Sequence, residues 1–304
     1  MLVVRHGGHG MRRVRGGLMV GLAVLLSVAA VAVAAVAPPA VAQGAVAQGA
    51  ARPSDGELRA ITEAGRRIAS YQEAIVTTRK RFEEKTDLGD RVRPVVVDRK
   101  GVWHVVFISR ELQGGDLKAW LLVADAVFRP RAGEVERFDL FDPPKPAPTD
   151  AQAAMRAIDT ARAGAQAHVA AVPPGFAESV FRDKSGTFTV YLQSRTGART
   201  VTRFGSDLKA TISADGNQVL QIAPLHGPGE SADVAPGDGR TPTLHSHARG
   251  DLPTETDVAL VVESPRVAPH LVLTPSWIFR IESDGVVTWL GRNEVPPVAP
   301  GGAM

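Results

Sequence analysis

The chain has 304 residues, with 35 Lys and Arg, 32 Asp and Glu, and no cysteine. The missing cysteines exclude disulfides, thiolate metal sites and a lipid anchor on Cys. Four of the arginines fall in residues 1–42, which carry no acidic residue, so 31 basic side chains face 32 acidic ones in the remainder, and that near neutrality gives no electrostatic case for nucleic acid or an anionic membrane.

Residues 1–42 read as a signal peptide. Arg5, Arg12, Arg13 and Arg15 precede an uncharged apolar run over 18–37, interrupted only by Ser27. Pro38 and Pro39 then stop any helix, and Ala40-Val41-Ala42 supplies a small-x-small cleavage site. The expected mature protein is periplasmic or secreted. A membrane enters only if the segment stays uncleaved, since the run reaches the roughly 20 residues of a span. Residues 43–53 read as a flexible leader.

Ser54-x-x-Glu57 is a capping-box pattern. Behind it Ile61, Ala64, Ile68, Tyr71, Ile75 and Phe82 repeat at helical spacing, which predicts a helix over 55–85 with one apolar stripe. The pattern then turns strand-like at 92–97, 102–108, 117–127 and 135–140, with turns at Asp98–Gly101 and 113–116. Residues 54–141 are thus expected as one helix-plus-sheet domain. The Pro-rich stretch 142–148 reads as a stiff linker.

A second unit is expected over 149–292. Thr149-x-x-Gln152 reads as the cap of an Ala-rich helix running to about residue 172. Strands follow at 187–193, 200–204, 208–212 and 218–225. The Pro- and Gly-rich segment 227–243 reads as a loop. After it come a strand at 244–248, a helix at 255–264, a strand at 270–274 and a closing hairpin, 277–281 with 286–290. Residues 293–304 read as a disordered tail. The fold class is α+β: two helix-plus-antiparallel-meander units.

One segment has the residue types of a metal site. His245-Ser-His247 sits in a predicted strand, where residues i and i+2 share a face. Two imidazoles so placed can converge on one ion, and a carboxylate from the next element, Asp257, could complete three protein ligands and leave a position for water. Thr254-x-x-Asp257 is equally a capping box in its own right. His104, His168, His226 and His270 are isolated in the sequence and read as satisfied polar residues.

His-x-His followed by Thr-x-x-Asp at a helix start resembles the motif of the JAMM (JAB1/MPN) metalloproteases, over at most residues 175–292. The resemblance implies that His245, His247 and Asp257 bind zinc and that Thr254 assists an oxyanion. It also implies a catalytic Glu from an earlier strand. Between Glu178 and Glu230 there is no other Glu, so Glu178 is the candidate base. The expected function is an exported envelope protein with a divergent JAMM-like C-terminal domain and a His/His/Asp zinc site. Two alternatives stand beside it: a non-catalytic interaction protein that engages an envelope protein or peptide, and an active zinc peptidase or amidase.

Overall fold

The computed structural model describes residues 51–86, 91–113, 116–166, 176–195, 201–227, 230–239 and 241–294. The expected signal peptide, most of the leader and the tail from residue 295 lie outside them. Among the described residues no helix is long and apolar enough to cross a membrane.

Helix α1 (Asp55–Glu83) begins with the expected capping box. The Ser54 hydroxyl accepts the Glu57 N–H at 3.2 Å, and the Glu57 carboxylate accepts the Ser54 N–H at 2.8 Å. Four antiparallel strands follow: β1 (Val92–Arg99), β2 (Val102–Gln113), β3 (Asp116–Arg129) and β4 (Glu134–Pro146), paired in that order. Lys100 and Gly101, both at positive φ (59° and 82°), make the two-residue turn between β1 and β2. That geometry matches the right-handed twist of the flanking strands and favours Gly at the second position.

The stretch expected as a linker is largely strand. β4 continues to Pro146, with Lys145 opposite Leu122 and Pro146 opposite Leu121. β4 is an edge strand, and there a proline's missing N–H breaks no ladder. Helix α2 (Thr149–Ala165) starts directly behind Pro148. Thr149 is not its cap; the Gln152 side chain instead turns back to the Ala147 carbonyl at 2.7 Å. The expected end of this helix, near residue 172, lies outside the described residues.

Strands β5 (Phe176–Arg182), β6 (Phe188–Ser194), β7 (Thr202–Phe204), β8 (Leu208–Ile212) and β9 (Val219–Pro224) do not form one meander. The sheet runs β5-β6-β8-β9, and β7 leaves it to pair with β10 (Ala232–Val234), inside the segment expected as loop. The last sheet is β11 (Thr243–Ser246), β12 (His270–Leu273), β13 (Trp277–Ile281) and β14 (Val287–Arg292). β11 and β12 are parallel, not antiparallel as expected, because helix α3 (Glu255–Glu263) carries the chain back between them.

The two expected units share a core. Phe82, Phe107 and Phe128 belong to the same apolar cluster as Met155, Ile158, Val190 and Leu192. A second cluster joins Leu58 of α1 to Val258, Val261, Val272 and Phe279. At about 1.5 Å per residue the 29 residues of α1 reach about 43 Å, enough to contribute to both. Its buried side is wider than the sequence stripe and includes Thr62, Gly65 and Ala69. Gly65 is where α1 meets α3: a Cβ there would lie 2.4 Å from Val258 Cβ and 2.8 Å from the Glu255 carbonyl.

Candidate metal centre

Four side chains from three chain segments converge behind α3. His226 lies just beyond β9, held there by the Leu225 N–H donating to the Asp207 carbonyl at 2.9 Å. His245 and His247 come from β11 and its continuation, where the His247 N–H extends the ladder to the Leu273 carbonyl at 2.7 Å. The period-two alternation works as expected: both imidazoles point inward, whereas Leu244 and Ser246, on either side of His245, are exposed. Asp257 is the third residue of α3.

All four side chains are buried, none more than 4% exposed, and one ligand atom from each lies within 4.8 Å of the other three. The Asp257 Oδ1 is 3.0 Å from His226 Nε2 and 3.3 Å from His245 Nε2. Its Oδ2 is 3.2 Å from His247 Nε2, and the Nε2 atoms of His245 and His247 are 2.9 Å apart. With bonds of 2.0–2.1 Å, the corners of a tetrahedral zinc shell are roughly 3.3 Å apart. The donor set and its spacing therefore fit a divalent ion such as zinc.

The electrostatics follow from burial and proximity. Burial alone would raise the Asp257 carboxyl, but His226, His245 and His247 against it hold it well below the usual carboxylate range. Burial works downward on His226, but the carboxylates around it, Asp257 foremost with Asp207 and Glu230, together outweigh it and lift the imidazole to about 9. Asp207, fully buried near His226, is pushed up by its desolvation to about 6. The Nδ1 atoms of His226 and His247 have no hydrogen-bond partner.

Asp257 serves the helix and the cluster at once. Its Oδ2 accepts the Thr254 N–H at 2.7 Å, and the Thr254 hydroxyl accepts the Asp257 N–H at 3.2 Å. The capping box and the contacts with the histidines are thus two uses of one carboxylate. Thr254 itself is spent on the cap and on Thr256, whose hydroxyl is 2.9 Å away.

Glu178, the sequence candidate for a base, is not among the converging groups. Its carboxylate, on β5, pairs with Arg162 and lies 3.7 Å from Arg93, and its backbone carbonyl accepts from Gln72 at 2.8 Å. The glutamate beside the histidine segments is Glu230. It accepts the N–H groups of Gly227 and Ala248, the residues that directly follow His226 and His247.

Sequence reasoning missed His226, His270 and Glu230. His226 and His270 stand isolated in the sequence, where nothing local distinguishes them. His226 joins the cluster through the path of β8 and β9, and His270 through the parallel pairing that sets it opposite Thr243. His270 Nδ1 is 2.7 Å from the Thr243 hydroxyl, and its Nε2 is 2.7 Å from His245 Nδ1. No protein-family model, no curated protein and no solved structure matches the chain.

Proposed function

We propose that this is an exported zinc-binding protein in which His226, His245, His247 and Asp257 hold the ion as a closed, fold-supporting centre. The observation that carries this reading is the convergence of four ligand atoms, from chain segments up to 31 residues apart, in a buried volume. Four protein ligands complete a tetrahedral shell, whereas a hydrolytic zinc site keeps one position for water. His226 takes the position that a JAMM-like enzyme would leave to water. The ion would supply the positive charge that lets three imidazoles and a carboxylate sit together without solvent.

On this reading the JAMM-like motif has kept its ligands and exchanged hydrolysis for architecture. Glu178 supports that exchange, since its carboxylate is engaged by two arginines away from the cluster. The envelope context rests on residues 1–42, and sequencing the N-terminus of the exported protein tests it: a first residue at or near Gln43 is expected. The exposed Leu220 and Leu244, on the edge strands β9 and β11, support the alternative of an interaction with an envelope protein or peptide.

Elemental analysis of the purified protein tests the metal directly. About one zinc per chain is expected, with a chelator lowering the melting temperature and His247→Ala abolishing that response. No stoichiometric metal after reconstitution sinks the proposal. Peptide hydrolysis that is lost with His245→Ala and depends on one carboxylate favours the peptidase reading instead.

A further inference from the structure

We infer that His270 is a positioning residue for this centre, because the hydrogen-bond chain from Val267 through Thr243 and His270 to His245 has a single direction and holds a hydrogen on His245 Nδ1, which makes Nε2 its ligating atom. The purpose of that chain rests on the metal-binding reading above; its direction can be measured without metal.

The chain starts at a group that can only accept. The Thr243 hydroxyl donates its one hydrogen to the Val267 carbonyl. Its oxygen is then an acceptor, so the 2.7 Å contact with His270 Nδ1 requires the hydrogen on Nδ1. An imidazole with that hydrogen presents a lone pair at Nε2. His270 Nε2 is 2.7 Å from His245 Nδ1, which must therefore be the donor. In the neutral form that binds a metal, His245 then offers an unprotonated Nε2, the atom that faces Asp257 at 3.3 Å and His247 at 2.9 Å.

The reverse direction needs hydrogens on both nitrogens of His270. That cation would be fully buried, and its ring nitrogens touch only a hydroxyl and an imidazole. Burying a charge with no counter-charge in contact costs far more than one hydrogen bond returns. Phe204 fixes the rings in register. It stacks on His270 with centroids 4.3 Å apart and 6° between planes, and on His245 at 4.8 Å and 21°. Flipping either imidazole would put carbon where the chain needs nitrogen. A ligand histidine held through its other ring nitrogen is how a metal centre sets imidazole tautomer and orientation.

The test is long-range 1H–15N correlation on metal-free full-length protein labelled in histidine. Nδ1–H tautomers are expected for both His245 and His270. Zinc affinity is measured beside it for Thr243→Val, which keeps the shape and removes the hydroxyl, and for Thr243→Ser, which restores it. Thr243→Val is expected to weaken zinc binding about 10- to 100-fold and to release the fixed tautomer, with Ser recovering both. A wild-type His245 with its only hydrogen on Nε2 and none on Nδ1 overturns the role of His270 whatever the variants do. So does a Thr243→Val protein with unchanged tautomer and affinity. Correct tautomers in a wild-type protein that takes up no zinc overturn the metal-binding reading and the role of His270 with it; zinc uptake with the wrong tautomer overturns the role of His270 alone.

Discussion

Thr254 and Asp257 close a reciprocal pair of hydrogen bonds at the first turn of α3, at 2.7 and 3.2 Å, and the same Asp257 carboxylate receives three imidazoles. The two residues should therefore separate under mutation. Thr254→Ala removes the hydroxyl's cap and its contact with Thr256 and should cost about 1 kcal/mol in urea unfolding, with zinc stoichiometry kept. Asp257→Asn should abolish stoichiometric zinc. A Thr254→Ala protein that loses its metal would contradict this division of labour.

Glu230 fastens the two chain segments that carry His226 and His247. Replacing it by Ala leaves the N–H groups of Gly227 and Ala248 without their carboxylate. A loss of about 2 kcal/mol is expected by denaturant titration, together with weaker zinc binding. Glu230→Gln keeps one acceptor oxygen and should fall between. Equal stability of all three proteins would remove Glu230 from the account.

Gly65 lets α1 press against α3, and Ala at that position meets Val258 and the Glu255 backbone at overlapping distances. Gly65→Ala should destabilise by about 1–3 kcal/mol through overpacking. Gly56→Ala is the control on the same helix, where the nearest atom to a new Cβ is Ser54 Oγ at 3.9 Å. It should be neutral or stabilise by about 0.5 kcal/mol. Thermal unfolding of the two variants distinguishes a packing effect from helix propensity.

The Asp215 turn should titrate abnormally. The Ser213 hydroxyl donates to its carboxylate at 2.5 Å and the Asn217 amide at 2.8 Å, lowering it to about 2 from an ordinary 3.8. A depressed carboxyl contributes its stability above the ordinary value and loses it as pH falls through about 2. Carboxyl chemical shifts followed against pH should give that low midpoint, and Ser213→Ala should move it upward. An ordinary midpoint in the wild-type protein would refute the hydrogen-bonded turn.

Much of the architecture was readable from local pattern. The capping box at Ser54, the alternation through β1 to β3, and the hairpin of β13 and β14 are each fixed by neighbours a few residues apart. The alternation around His245 and His247 also correctly put both rings on one face. What escaped was set by distant pairing. Nothing within 142–148 shows that β3 offers an edge to those prolines, and nothing near Thr202 announces that its partner is Val234. His226 and His270 look like ordinary polar residues until β8–β9 and the parallel β11–β12 pair deliver them to Asp257 and His245. Motif spacing can find ligands that share a strand, but a ligand brought in by another sheet has no spacing to find.

Helix α1 is made early and secured late. Arg66 reaches the Asp284 carboxylate at 2.9 Å, and the Thr62 hydroxyl accepts the Val287 N–H at 3.3 Å across 225 residues of sequence. Such remote closure slows folding, since the entropy of joining distant segments is lost before their contacts reward it. A nascent chain halted before β13 would present Leu58 and Ile61 to whatever is nearby, inviting proteases and holdase chaperones to the opposite terminus from the lesion. Clipping the carboxyl end of this protein should thus be felt first at its amino end.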